Sequence, residues 1–406
     1  MSDLDLKNGY QNTMAEKMSE ASTDLLNQVD QHLNHPNQAW LLGAGISKDA
    51  GLPLMMDLTA QVFKKSEGKA HAAVLDAMKA GLPEEAHIEH LLSQLGDYMA
   101  IAKRVLDKTV TLAGTEYGLN ALEAAHEAIT GDIAEVIRWG YIAAKDGVVE
   151  IVGSQQNPLV SVEHHSKFVQ ALFEKRQAGL REPKKPIHFF TTNYDTLLED
   201  AIALGRYSSW DGFSGGAVAF REHRFGQTVP TDGLRAKVIK LHGSIDWIMG
   251  EDGDVWRVRS TDTYPTRKGR VYIHLQSTKY LATQKDPFAA QFSMLRELIG
   301  SNSELVLVVC GYSFGDEHIN EELERALSLP SNKTTLIAFC RESNGLPQEI
   351  ERWRKAHWGE RVYALTQKGL YCGVHGPLLQ KEEGEHEWWS FRGVTRFLED
   401  GGMGDM

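Results

Sequence analysis

Four short segments hold the residue types and spacings that could do chemistry. Gly43-Ala44-Gly45-Ile46-Ser47, then Gly51-Leu52-Pro53, follows the apolar run Ala39-Trp40-Leu41-Leu42. A glycine turn after a buried strand lets backbone amides approach a pyrophosphate closely, and the next helix would aim its N-terminal dipole at the same charge. Ser47 could add a hydroxyl. The same turn also arises for steric reasons alone. Thr191-Thr192-Asn193-Tyr194-Asp195 ends the run Ile187 to Phe190; polar residues there project into the crevice at a strand's carboxyl end, or simply cap the next helix. Lys240-Leu241-His242-Gly243-Ser244 also ends a strand, and its imidazole can take a proton near neutral pH. Gly311-Tyr312-Ser313-Phe314-Gly315-Asp316-Glu317-His318-Ile319-Asn320 begins where the most apolar strand stops. Its acids in a first helical turn are favoured by the dipole without any function.

The elements that must position these segments follow from periodicity. Met18, Leu25, Leu26, Val29 and Leu33 recur at helical spacing between Met14 and Leu33. Strands are expected at Ala39–Leu42, Ile187–Thr192, Lys237–Leu241, Val271–Leu275, Glu304–Gly311 and Leu336–Phe339, with a hairpin over Asp246–Arg259 turning at Gly250-Glu251-Asp252-Gly253. From Leu54 to Ala178 helical periodicity dominates. The expected fold is α/β: a Rossmann-like, doubly wound, mostly parallel sheet with a large inserted helical module. The expected division is 1–53 for the N-terminal helix, first strand and glycine loop, 54–183 for the inserted module, 184–345 for the rest of the Rossmann-like domain, and 346–406 for a C-terminal extension.

Composition narrows the function. A chain of 406 residues with 42% hydrophobic and 24% charged residues can bury a full core. A net charge of −12 argues against direct nucleic-acid binding. The three cysteines, Cys310, Cys340 and Cys372, form no C-x-x-C pair, which excludes a cysteine-based zinc module and fits buried thiols in a reducing compartment. His87 and His90 share a helix face but have no third ligand in view, so no metal is expected. The opening residues lead to the expectation of no signal peptide, no apolar run reaches membrane length, and the expected location is cytoplasmic.

Together the four segments resemble the sirtuin superfamily. GAGIS with GLP is similar to the sirtuin GAGxS…GxP loop, TTNYD to its TxN-hydrophobic-D, and KLHGS to its strand-ending His-Gly; GYSFGDEHIN stands where sirtuins carry a Gly-x-Ser ribose contact. The departures point to one branch. The interval after His242-Gly243 holds no cysteine, where protein-deacylating sirtuins carry two C-x-x-C pairs, and Met55-Met56 replaces the usual Phe-Arg after Gly-x-Pro. In these respects the chain resembles bacterial sirtuin-like NADases of anti-phage defence.

That resemblance implies an NAD+ hydrolase that releases nicotinamide and ADP-ribose, with NAD as substrate and no metal. It implies that Asn193 orients the ribose and the attacking water, that Asp195 holds the carboxamide and leaving group, and that His242 accepts a proton. Gly43, Ala44, Gly45 and Ser47 would cradle the pyrophosphate, Gly311, Tyr312 and Ser313 would contact the adenosine side, and Pro53 and Thr192 complete the NAD contacts. A protein deacylase, an ADP-ribosyl transferase and a non-catalytic NAD or ADP-ribose sensor are the alternatives. The resemblance further implies a homo-oligomer, with a HerA-type ring ATPase as a possible partner. Candidate assembly surfaces are Leu25–Leu33, the inserted module and Trp388-Trp389.

Overall fold

A computed structural model describes residues 22–144, 149–176, 185–251, 253–259, 267–272, 286–301, 303–402 and 404. A helix over 22–32 (α1) leads into β1 (Gln38–Leu42) and a 3-10 turn at Ala44–Ser47. Helices α2 (Met55–Ser66), α3 (Ala72–Lys79) and α4 (Ile88–Arg104), a hairpin of β2 (Thr109–Leu112) and β3 (Thr115–Gly118), and α5 (Leu119–Trp139) follow. A two-residue pairing, β4 (Tyr141–Ile142) with β5 (Ile151–Val152), and α6 (Glu163–Gln170) precede β6 (Ile187–Thr191). Next come α7 (Leu197–Leu204), β7 (Ser209–Trp210), β8 (Phe213–Gly215), β9 (Val218–Arg221), β10 (Ala236–Lys240), β11 (Gly243–Gly250), β12 (Val255–Val258) and β13 (Arg267–Tyr272). The chain closes with α8 (Phe288–Ile299), β14 (Val306–Cys310), α9 (Glu317–Leu327), β15 (Thr335–Phe339), α10 (Gln348–Trp353), β16 (Val362–Leu365), β17 (Leu370–Cys372), β18 (His375–Leu378) and α11 (Phe391–Asp400).

Nine strands form the central sheet in the order β18-β17-β16-β15-β14-β1-β6-β10-β7. The seven from β16 to β7 pair in parallel, and β17 and β18 add antiparallel pairings at one edge. The central strands are apolar at nearly every position because both faces are covered. Alternate residues divide cleanly between them. Ala39, Leu41, Leu307 and Val309 join Phe292 and Leu295 of α8, Leu323 of α9 and Trp353 of α10. Trp40, Leu42, Val306 and Val308 join Leu26 and Val29 of α1, Phe168 of α6 and Phe397 of α11. This is a Rossmann-like, mostly parallel sheet wound on both sides, with a large inserted helical region.

The insert has its own core, in which Leu58 and Val62 of α2, Leu75 of α3, Leu91 and Leu95 of α4 and Ile129 of α5 pack together. Leu197 and Ile245 tie this cluster to the rest of the molecule. His87 and His90 sit at the N-terminus of α4 as a reciprocal cap, the His87 backbone N–H donating to His90 Nδ1 at 3.3 Å.

A second sheet, β13-β11-β12-β9-β8, is antiparallel, and its strand β11 begins at Gly243, immediately after His242. Its β11–β12 hairpin pairs Trp247 with Arg257 and turns through Gly253 at φ +85°, where the Asp-Gly signal placed it. No cysteine-based zinc module stands here. Cys310 and Cys372 lie on strands of the main sheet, Cys340 just follows β15, and all three are buried free thiols.

Several expectations change. The first helix is described from residue 22, and 14–21 lie outside the described residues. Of the strand expected at Val271–Leu275, the first two residues belong to β13, which starts earlier, at Arg267, and 273–275 lie outside the described residues. The hairpin β2–β3 interrupts the helical module, turning at Ala113 and Gly114 with φ of 44° and 82°. An alanine in the left-handed region hides this turn from a reading that looks for Asn-Gly or Asp-Gly. Within 346–406, β16, β17 and β18 belong to the main sheet. Leu26, Val29, Leu33 and Trp388 are fully buried within the chain, so they offer no assembly surface. No helix among the described residues is long and apolar enough to cross a membrane.

Candidate active site

Register brings the four segments to one edge. Leu42 is level with both Cys310 and Thr191, Thr191 with Lys240, and Cys310 with Phe339. The residues that follow each strand therefore emerge side by side at the carboxyl edge, where open α/β sheets bind ligands. They surround a cavity of about 960 Å³. Gly43, Ala44, Gly45, Ser47, Pro53, Thr192, Asn193, Asp195, His242, Gly311, Tyr312 and Ser313 all line it.

The loops after β1 and β14 are stitched together. Gly43 N–H donates to the Cys310 carbonyl at 3.0 Å and Gly45 N–H to the Gly311 carbonyl at 2.9 Å. A Cβ on Gly43 would lie 2.5 Å from the Gly311 oxygen, and one on Gly45 would lie 2.8 Å from Gly311 Cα. Contact between the loops already accounts for these glycines. A Gly45 substitution thus tests loop packing before it tests ligand approach.

Beyond β6 lies a buried polar network. Ser47 Oγ donates to Asp195 Oδ2 at 2.8 Å, and Asn193 Nδ2 donates to Ser47 Oγ at 3.1 Å. Asp195 Oδ1 accepts from Leu197 N–H at 3.0 Å. His165 Nε2 stands 3.5 Å from Ser47 Oγ, and burial lowers the pKa of that imidazole to about 4. The Ser47 proton is spent on Asp195, so its hydroxyl serves the network rather than offering a free donor. Asn193 is 7% exposed, and among the described residues its Oδ1 has no hydrogen-bond partner. A buried acceptor facing a cavity is a place a ligand hydroxyl or water would fill.

His242 is 3% exposed, with Nε2 3.8 Å from Asp316 Oδ1 and its ring stacked on His318 at 5.5 Å. His242, Asp316 and His318 each offer one ligand atom, all within 4.8 Å of one another, so this group has the donor types of a cation site. Below it, Lys240 pairs with Glu199 at 3.2 Å and donates to the Asp195 carbonyl, bracing the two loops. Burial pushes the Glu199 carboxyl above its ordinary range.

After β14 the tyrosine hydroxyl turns away from the cavity. Tyr312 Oη lies 3.1 Å from Asn320 Oδ1 and 3.2 Å from the Asp316 carbonyl, and burial raises its pKa. Asn320 Nδ2 in turn donates to the Phe314 carbonyl at 2.7 Å.

Other lining residues have no signal in the sequence. Glu89 of α4 accepts from Tyr194 Oη at 2.9 Å, so the inserted module closes one end. Arg341, Asn344 and Trp389 close the other. Asp316 and His318 were legible only as members of the fourth segment, and His165 had nothing to distinguish it from a packed histidine.

Residues 187–363 match the SIR2-like domain family. No curated protein matches the chain. The chain carries a SIR2-like domain that runs from β6 to β16 and includes the Asn193, His242 and Gly311 loops. The glycine turn after β1 and the inserted module lie outside the matched residues and complete the cavity.

Proposed function

We propose that this cavity binds NAD and cleaves the bond between nicotinamide and ribose, water taking the ribose. The observation that carries the reading is the buried, unfilled acceptor Asn193 Oδ1, held by Ser47 and Asp195 beside His242 in a SIR2-like domain.

Leaving nicotinamide carries away the positive charge of its ring nitrogen, and the ribose becomes oxocarbenium-like. Asn193 Oδ1 accepts from a ribose hydroxyl or from the attacking water, fixing it against the sugar. Water forms the new C–O bond as the C–N bond breaks, and its proton passes to His242 directly or through a ribose hydroxyl. The products are nicotinamide, ADP-ribose and one proton. Asp195 keeps Ser47 and Asn193 in place while the loop borders the leaving group. The loops 43–45 and 311–313 border the pyrophosphate and adenosine side, with the Gly43 and Gly45 amides spent on joining the two loops. The leaving group is already cationic, so the step requires no Lewis acid, and turnover should survive dialysis against a chelator despite the His242–Asp316–His318 group.

Separating the products of purified protein and NAD tests this. Nicotinamide with free ADP-ribose supports hydrolysis. An acyl-ADP-ribose formed only with an acylated peptide means a deacylase, a labelled protein acceptor means an ADP-ribosyl transferase, and binding without turnover means a sensor.

Such an activity in a cell must be gated. On the resemblance to anti-phage NADases, control through a homo-oligomer or a HerA-type ATPase is part of this reading. Mass photometry with and without such an ATPase tests it; a fully active monomer that recruits no ATPase overturns it.

A further inference from the structure

The end of the cavity away from His242 is built from residues that neither the SIR2-like match nor the four segments single out together. From β6 through β1 and β14 to β15 there are three strand spacings, roughly 14 Å, so a ligand reaching from Asn193 across the glycine turn arrives at the end of β15. There Arg341 stacks over the Trp389 ring, its guanidinium carbon 4.6 Å from the ring centre. Both residues line the cavity.

Trp389 is held from both sides. Trp388 is 1% exposed and stacks on His386 at 3.8 Å. Ser390 caps α11, its Oγ accepting from Gly393 N–H at 3.0 Å. The indole between these anchors is half-buried at the cavity wall.

At this strand end Arg341 is the charged side chain that lines the cavity. Dinucleotide sites commonly read the adenosine ribose with an acid near such a strand end, or accommodate a 2′-phosphate with an arginine. The adjacent acid, Glu342, is buried and committed elsewhere: it accepts from Thr366 Oγ1 at 2.8 Å and Tyr371 Oη at 3.0 Å, and pairs with Lys368 at 3.1 Å. Among the described residues Arg341 has a single ion pairing, 4.0 Å to Glu385, both side chains more than half exposed, an arrangement worth little.

We propose that Arg341 and Trp389 form the adenosine clamp of this cavity: the adenine stacks on the pair, and Arg341 faces the ribose 2′ position, so that a 2′-phosphorylated dinucleotide is accepted as well as NAD. This rests on the reading of the cavity as an NAD site and assigns its substrate range.

Binding of ADP-ribose and of 2′-phospho-ADP-ribose, measured by calorimetry, tests the clamp without requiring turnover. Trp389→Ala should weaken both ligands roughly tenfold, as expected for loss of one base-stacking partner, and Trp389→Phe should restore most of that loss. Arg341→Gln should weaken the 2′-phosphorylated ligand by a further order of magnitude, as expected for loss of a charged hydrogen-bond donor, relative to its effect on ADP-ribose. In turnover, Trp389→Ala should raise KM for NAD with kcat little changed and leave cleavage of nicotinamide mononucleotide, which has no adenosine, as in the wild type. Unchanged affinities in folded Trp389→Ala and Arg341→Gln, or a wild type that excludes the 2′-phosphate, would overturn the clamp. A wild type that binds both ligands but cleaves no dinucleotide would overturn the cleavage reading and leave the clamp standing.

Discussion

The two ends of the cavity are made in different ways. Around Asn193 the polar side chains are fixed by buried partners: Ser47 by Asp195, Asn193 by Ser47, and Asp195 by the Leu197 backbone amide. At the Gly311 end the surface is backbone plus two stacked rim side chains, and the large side chains of the loop, Tyr312 and Phe314, turn into the core. Fixed side chains hold an acceptor to a tight geometry, as a reacting centre requires. A backbone cradle with a flat wall suits a part of the ligand that is held but not changed.

If this division is right, the largest effects lie at the fixed end. Asn193→Ala and His242→Ala should each lower kcat by roughly 10²–10⁴ with the fold intact, as loss of a positioned proton acceptor does. Comparable turnover by both folded variants would remove the contrast. Acid should also cost stability, through His165 beside the fixed end and through His188 at the far end of β6. Burial holds the imidazoles of His165 and His188 down to about 4, from ordinary values near 6.5. Between those values the unfolded chain binds protons that the folded chain refuses, so stability is complete above about pH 6.5 and falls toward pH 4. Each histidine would contribute about 2–3 kcal/mol over that window. Urea melts at pH 7 and pH 5 should show the loss, and His165→Leu should remove part of the difference; identical midpoints at the two pH values would contradict buried neutral imidazoles. Ser47→Ala comes next. It leaves Asn193 Nδ2 and Asp195 Oδ2 without a shared partner, which costs about 1–3 kcal/mol, and kcat should fall with it because the Asn193 amide is no longer fixed.

Much of the frame was legible because it rests on short-range pattern. Apolar runs such as Val306–Cys310 mark strands covered on both faces, and polar residues just past them mark the ligand edge. What escaped was set by distance in the chain. Val362–Leu365 is a four-residue run in charged surroundings, too short to identify until β15 lies beside it. Glu89, His165 and Trp389 reach the cavity or its supports from helices and loops far from the glycine turn. Nothing local separates Trp389 from Trp388, yet one lines the cavity and the other fills the core. The role implied for Ser47 illustrates a different limit: its position was legible, while its partner, Asp195, lies 148 residues away.

The smallest effect sharpens the comparison from the other side. Tyr312 lines the cavity, and by resemblance it stands among the adenosine contacts, but its hydroxyl is buried between Asn320 Oδ1 and the Asp316 carbonyl. Removing that oxygen with Tyr312→Phe leaves the ring in its apolar packing beside Phe314. The Asn320 amide keeps its bond to the Phe314 carbonyl and the Asp316 carbonyl still accepts from Ile319 and Asn320 N–H, so Asn320 Oδ1 alone loses its partner. The cost should be about 1 kcal/mol of stability, visible as a lower urea midpoint with an unchanged slope. The KM for NAD should stay within about twofold, since a backbone cradle loses no donor and a twofold change is well under 1 kcal/mol. A tenfold rise in KM with unchanged stability would mean that the hydroxyl turns to the ligand, and the two ends of the cavity would then be built alike.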